Sequence, residues 1–386
     1  MRDHRQHLRR WYARVTQALA RRARPGAQVL SPVILCATAA AVHADGAALA
    51  TFVRTDSNHT LVVSPHLQVE RRIDATSASL SYAADVWTSA SIDVVAAASP
   101  AITEQRDELN IGLAHDLADI RIALNYRYSV EIDYVSHGTS GGLTWDFAEN
   151  NSSLTLEGQF FADQVGRSGT PGFARGLATL NARIAFTQVL GENLLAQVTY
   201  ELGHLQGYQA SPYRYVGIAG TGFGCEAATL CVPERTPPER LRHALAGRVR
   251  QALLSSLAIE LNYRYYLDDW AMTSHTALAQ LRWLVGEETL LSFGYRYYQQ
   301  SAADFYRARY VALESLEMLR TRDRELSAMM DHRAVVSIEH NMEVGTNMAT
   351  LVLSLTAGAG LYLYDNFVGL HQVQALDVTA GIALQP

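Results

Sequence analysis

Residues 120–131 read Ile-Arg-Ile-Ala-Leu-Asn-Tyr-Arg-Tyr-Ser-Val-Glu. Successive side chains of an extended chain point to opposite sides. Ile120, Ile122, Leu124, Tyr126, Tyr128 and Val130 therefore share one face, and Arg121, Ala123, Asn125, Arg127, Ser129 and Glu131 share the other. The pattern returns at 257–267, where Leu257, Ile259, Leu261, Tyr263 and Tyr265 oppose Glu260, Asn262, Arg264 and Tyr266. It returns again at 291–298, where Leu291, Phe293, Tyr295 and Tyr297 oppose Ser292, Gly294, Arg296 and Tyr298. Such alternation predicts long strands with one apolar and one polar face. Strands in ordinary globular sheets mostly stop at about five or six residues. Crossing a bilayer with a tilted strand takes about 9–11.

The breaks between these segments alternate in length. Short ones fall near 71–74, 116–118, 148–150, 190–192, 254–255, 286–287 and 342–346. Longer ones fall near 55–58, 89–102, 132–136, 165–176, 207–239, 268–271, 302–326 and 364–370. Tight turns at one end and long loops at the other are the mark of a transmembrane antiparallel β-barrel, with the short turns periplasmic. The expected fold is therefore all-β, one barrel over 45–386. It has about sixteen strands, from near Ala47 to near Leu384, with fourteen as the other count. A soluble sandwich or propeller would explain the alternation but neither the strand length nor the alternating breaks. No apolar run of about 18 residues or more follows Ala44.

The three Tyr-Arg-Tyr triplets refine the picture. Tyr126, Tyr128, Tyr263, Tyr265, Tyr295 and Tyr297 are expected to form an outer aromatic girdle facing lipid. The Arg within each triplet must then face the lumen, because charge on the lipid face is costly. Arg127, Arg264 and Arg296, with Glu131, Glu201 and Glu260, are the candidates for a charged constriction that selects solutes by sign. The plain alternative is a set of lumenal Arg–acid pairs that fill and stiffen the barrel.

The chain has 386 residues, with 32 basic and 38 acidic side chains, and every basic one is Arg. Residues 1–44 hold eight Arg against a single acid, Asp3. Arg5 through Arg24 form a basic leader, Val29–Val42 a short apolar core, and Val42 and Ala44 the small residues of a cleavage site. This reads as a secretory signal peptide over 1–44; the rival is a membrane anchor. The remaining 24 Arg face 37 acids, so nucleic acid is not an expected partner. Two Cys follow the leader, Cys225 and Cys231, and export permits them to join as one loop staple. They have no His at ligand spacing, so neither a metal nor another cofactor is expected.

Other candidates are weaker. Asp268-Asp269, Glu131 with Asp133, and Asp365 could offer loop carboxylates to a divalent cation, but solvated loop ends are the simpler reading. No Gly-x-Ser-x-Gly, His-Glu-x-x-His or P-loop occurs. Asp331-His332 and Ser274-His275 are adjacent on strands, so each pair points to opposite faces and forms no dyad by itself. No enzymatic activity is expected.

Ala84 to Val95 (Ala-Asp-Val-Trp-Thr-Ser-Ala-Ser-Ile-Asp-Val-Val), Asp163 to Gly169, Gly207 to Tyr215, Tyr265 to His275 and Ala303 to Tyr310 together resemble a bacterial family. It is known only as a domain of unknown function and is expected to form outer-membrane barrels. The resemblance spans most of 50–340. It implies a place in the bacterial outer membrane, and gene neighbours that include small lipoproteins, thioredoxin-like proteins and flavin transferases. Barrels of this class usually end in an aromatic residue; this chain ends Ala383-Leu384-Gln385-Pro386.

Two functions follow as expectations. The first is a pore for small polar solutes, with membrane lipid and the barrel assembly machinery as partners. The second is a non-conducting scaffold for an envelope redox or export complex, holding periplasmic or surface partner proteins. In both, loops 207–239 and 302–326 carry enough Tyr, Phe and Leu to fold, with Phe305, Tyr306, Leu313 and Leu316 as the packing residues.

Overall fold

The computed structural model describes residues 45–89, 102–170, 172–220, 225, 228–344 and 349–385. The signal peptide expected over 1–44, with Cys36, lies outside the described residues, as do most of the expected break at 89–102 and residues 345–348.

The strands in chain order are β1 (Gly46–Asp56), β2 (Thr60–Ile73), β3 (Thr76–Ser89), β4 (Ile102–Leu117), β5 (Ile120–Val130) and β6 (Tyr134–Phe147). Then come β7 (Ser152–Val165), β8 (Arg175–Gly191), β9 (Leu194–Gly207), β10 (Tyr215–Ile218), β11 (Leu230–Pro233) and β12 (Glu239–Leu254). The last are β13 (Leu257–Asp268), β14 (Thr273–Val285), β15 (Thr289–Gln300), β16 (Met329–Val344), β17 (Ala349–Tyr364) and β18 (Gln372–Gln385). All but β10 and β11 form one closed antiparallel barrel of sixteen strands, and β1 closes on β18 through ten residue pairs from Ala47↔Leu384 to Asp56↔Ala375. Closure leaves no unpaired edge, which hydrocarbon would penalise heavily.

The short-turn end takes the tight connections that the sequence marks. Asp74 (φ 51°) and Ala118 (φ 50°) adopt the left-handed conformation that two-residue hairpin turns demand. Both chain ends of the barrel lie on this side. The other end carries the long connections, including the β10–β11 hairpin between β9 and β12.

Large apolar side chains stand exposed around the outside: Leu124, Leu180, Ile184, Leu245, Leu261, Val336 and Leu376, among others. In water this surface would aggregate; in a bilayer it is the solvated face. The buried apolar residues gather instead at the long-loop end. One cluster joins Trp270, Met272, Phe305, Tyr306, Leu326, Tyr364, Phe367 and Val373; a second joins Val216, Ile218, Val232 and Tyr310. Of the residues expected to pack, Phe305 and Tyr306 are buried and Leu313 lies against the second cluster. Leu316 does not pack and stands 67% exposed; its backbone carbonyl accepts from the buried Arg320 guanidinium.

Candidate functional site

The polar face of each strand lines the lumen, and there the predicted Arg residues are already paired. Arg127 on β5 bonds Glu108 on β4 (2.5 Å), Arg264 on β13 bonds Glu201 on β9 (2.7 Å), and Arg296 on β15 bonds Asp331 on β16 (3.0 Å). Glu260 holds two cations, Arg250 at 2.6 Å and Arg248 at 3.6 Å. Arg183–Glu157 and Arg333–Asp377 add further pairs. Glu131 sits just past the end of β5, at the rim. Burial raises its carboxyl above its ordinary value, with Asp133 and Asp85 adding to the effect against the pull of Arg106.

Two of these pairs bridge strands that are not neighbours, and small residues make that possible. Arg333 on β16 reaches Asp377 on β18 across β17, directly over Gly358. A Cβ there would lie 2.7 Å from the Asp377 carboxylate and 2.8 Å from the guanidinium. Arg264 crosses β12 to Glu201, which pairs in register with the buried Ala244. Gly138 plays the same part for an aromatic ring: a Cβ there would meet Phe161 at 2.5 Å, and Arg127 lies over that ring at 5.7 Å.

Two recesses open on the lumenal wall. One, about 470 Å³, is lined by Gln68, Ser81, Glu108, Asn110, Asn125, Arg127, Gln159 and Phe161. The other, about 360 Å³, is lined by Glu157, Asn181, Arg183, Glu201, Arg242, Arg264 and Tyr266. Amides, hydroxyls and the Arg127–Glu108 pair dominate the first; in the second Arg242 adds a positive charge beside the Arg183–Glu157 and Arg264–Glu201 pairs, and both surfaces are ones that water and hydroxylated solutes wet readily.

The mouth is partly filled. Phe305, Tyr306 and Phe367 from the loops pack on Tyr362, Tyr364, Val373 and Met329 of the inner wall. Asp268 anchors this region with its carboxylate fully buried. It accepts from the Arg240 guanidinium (2.5 and 2.9 Å), the Tyr266 hydroxyl (2.6 Å), and the backbone N–H groups of Trp270 (3.0 Å) and Met272 (2.9 Å). Arg240 also stacks on Trp270 at 4.1 Å. Asp268 is thus neither a solvated loop end nor an open cation ligand. Among the described residues, no group of three or more His, Cys, Asp or Glu converges as metal ligands do.

The loop segments 208–238 and 301–328 fasten to each other. Arg235 and Arg320 exchange backbone hydrogen bonds, both 2.9 Å. Glu234, its side chain 1% exposed, accepts from Thr321 Oγ1 and from the Arg322 N–H, both 2.9 Å, with Arg214 at 3.6 Å. Burial raises the Glu234 carboxyl, aided by Asp323 and opposed by Arg214. Tyr306 donates to the Asn366 carbonyl (2.7 Å), and burial pushes its hydroxyl up to about 12. Cys225 and Cys231 form a disulfide beside the β10–β11 hairpin, as their spacing suggests.

The six girdle Tyr face outward, and they have partners that the sequence did not reveal. Tyr126 bonds Nδ1 of His137 (2.8 Å), Tyr263 that of His275 (2.6 Å), and Tyr295 that of His332 (2.6 Å). Tyr128, Tyr265 and Tyr297 lie against the same three rings, centroids 5.0–5.4 Å apart. A fourth unit, Tyr200 with His243 (2.7 Å), repeats the geometry with Leu202 in place of the second Tyr. A fifth, Tyr82 with Asp107 (2.5 Å), replaces the His by an acid. The visible signal is that these Tyr residues each stand seventh in their strands, on β3, β5, β9, β13 and β15.

A family model described as a protein of unknown function, DUF3570, matches residues 44–356. The chain belongs to the DUF3570 family. A search of curated proteins returned no match. Among solved structures, a bacterial polysaccharide outer membrane secretin is 8% identical with a TM-score of 0.50, covering 88% of this chain and 98% of that one. CdiB from Acinetobacter baumannii is 9% identical (TM-score 0.47; 87% and 60% covered). OccK11 of Pseudomonas aeruginosa is also 9% identical (TM-score 0.42; 88% and 95% covered). At such identities the likeness speaks for the fold alone. With its apolar exterior, even strand number and short turns beside both barrel ends, this DUF3570 chain is a bacterial outer-membrane barrel bathed in lipid.

Proposed function

We propose that this barrel passes small polar solutes, with a preference for uncharged, hydroxylated ones. The observation that carries the reading is the lumenal wall itself: recesses of about 470 and 360 Å³ lined by amides, hydroxyls and acid–Arg pairs. Sixteen strands enclose an aqueous channel unless loops fill it. Pairing cancels most of the field that unpaired Arg would create, so sign selectivity is weaker than the sequence suggested. The reading is non-enzymatic. Asp331 faces Arg296 inside while His332 faces Tyr295 outside, and Ser274 is buried on the lumenal face while His275 is on the outer one.

The test is planar-bilayer conductance of refolded protein, with liposome swelling in neutral sugars against anions of similar size. Steady conductance, weak ion preference and faster entry of sugars support the proposal. A verifiably folded barrel that neither conducts nor admits sugar refutes it.

The fastened loops favour a second reading, a closed scaffold. In it the cap stays shut and its outer surface holds a surface partner, while the short turns face a periplasmic one. A variant lacking 306–321 separates the two readings. Silence from that variant too, in a folded state, leaves the scaffold.

A further inference from the structure

We propose that the outward Tyr–His units bind phosphate oxygens of lipid headgroups in the outer leaflet. Four rings, His137, His243, His275 and His332, each meet a Tyr hydroxyl at Nδ1, at 2.6–2.8 Å. A phenol donates more readily than it accepts, so the hydroxyl proton goes to Nδ1 and the imidazole carries its own proton on Nε2. Among the described residues no further hydrogen bond holds these rings. Each unit therefore presents one oriented N–H donor to whatever surrounds the barrel.

Depth decides what that is. On four of the descending strands the outer residue is followed eight positions later by a second interfacial one on the same face. The pairs are Asp107 and His115 on β4, His137 and Trp145 on β6, His275 and Trp283 on β14, and His332 and His340 on β16. His115 and His340 bond Thr76 and Thr289 at 2.8 and 2.9 Å, and Trp145 and Trp283 stand 44% and 46% exposed. Eight residues at about 3.4 Å, tilted by about 40°, span about 20 Å along the membrane normal. The apolar band of such barrels is about 25 Å tall and bounded by its aromatic girdles, so His137, His275 and His332 stand at its outer edge, within side-chain reach of the headgroups, and His243, bonded like them to the seventh residue of a neighbouring strand, stands level with them.

The acceptor at that level is the headgroup. An ionised phosphate is its strongest acceptor. The fifth unit sharpens the proposal. Asp107 takes the ring's place, bonded to Tyr82 and to Gln105 (3.0 Å), and an acid there repels phosphate. Bound lipid should gather over the His units and avoid the β3–β4 sector.

The test compares retention of bisphosphorylated lipid A with its dephosphorylated form by the detergent-solubilised full chain, counted by native mass spectrometry. Wild type should hold the bisphosphate at least about tenfold more tightly. Changing His137, His243, His275 and His332 together to Phe should abolish the difference while leaving the heat-dependent gel shift intact. Changing Tyr126, Tyr200, Tyr263 and Tyr295 to Phe should weaken binding partially and mix the tautomers seen in ¹⁵N-histidine spectra. Equal retention of the two lipids by wild type overturns the proposal without any variant. If the His variant loses both lipids alike, the rings bind sugar or ester oxygens and phosphate recognition is refuted.

Discussion

Replacing Glu234 by Ala should unfasten the two long loops. Glu234 is an acceptor buried to 1% exposure, holding Thr321 Oγ1 and the Arg322 N–H at 2.9 Å each. Hydrogen bonds to a charged group contribute about 1.5–3 kcal/mol apiece. Against that gain stands the cost of burying the carboxylate, several kcal/mol when compensation is incomplete. Arg214, at 3.6 Å and shared with Asp323 at 2.6 Å, compensates only in part. A net loss of about 2 kcal/mol is the reasonable expectation, or about a thirtyfold shift in the opening equilibrium. The reporters are the amide protons of Arg235 and Arg320, which bond each other's carbonyls and do not touch the mutated side chain. Hydrogen exchange in micelles should accelerate about thirtyfold at both, with strand amides unchanged. Exchange within about twofold of wild type would mean that apolar packing around Tyr310 and Val216 holds the loops, and the reasoning about Glu234 would be wrong.

The same carboxyl predicts a pH response. Its folded value is raised, so its contribution is fully present below the ordinary Glu value and fades as pH rises through the folded one. Loop opening should therefore slow on mild acidification, and Glu234→Gln should flatten that response in the same exchange assay. Changing Arg127, Arg264 and Arg296 together to Ala leaves Glu108, Glu201 and Asp331 without these partners, so reversal potentials in a conducting protein should move toward cation preference. Unaltered potentials would place the constriction elsewhere. Replacing Cys225 and Cys231 by Ser should cost the hairpin about 2 kcal/mol, as expected for so short a closed loop. It should appear as faster proteolysis near 218–232 with no change in the barrel's heat-dependent gel shift.

What one sequence reveals here is set by range. Strand length, face and approximate number depend on period-two alternation and on turn residues, and both are local. The opposite facing of Tyr and Arg within each triplet was legible for the same reason. Partners were not, since they depend on register between strands. Glu108 lies 19 residues from Arg127, Asp331 lies 35 from Arg296, and Glu201 lies 63 from Arg264 on a strand that is not even adjacent. The His rings fell in the same blind region, 11 and 12 residues from their Tyr in two units but 37 and 43 in the others, where long loops intervene. Asp268 misled for another reason. Its acidic, loop-end context looks solvated in sequence, and only the fold shows Arg240 and two backbone N–H groups closing over it.

The lumenal pairs do not hold the barrel together. Arg127, Arg264 and Arg296 remain 33–37% exposed on their side chains, and ion pairs so wet are worth about 0–1 kcal/mol each. Closure rests on the backbone ladder, whose sixteen strands leave no edge, and on the exclusion of water by lipid. The pairs are thus free to serve the lumen, and their effect is to keep it polar while nearly cancelling its field. Under the proposed reading such a wall favours uncharged, hydroxylated solutes over ions but separates those solutes from one another only weakly. Under that reading further discrimination falls to the mouth, where apolar side chains of the loops pack on the inner wall near the buried Asp268. Selectivity in this barrel should respond more to changes at Asp268, Trp270 and Phe305 than to single changes of wall charge.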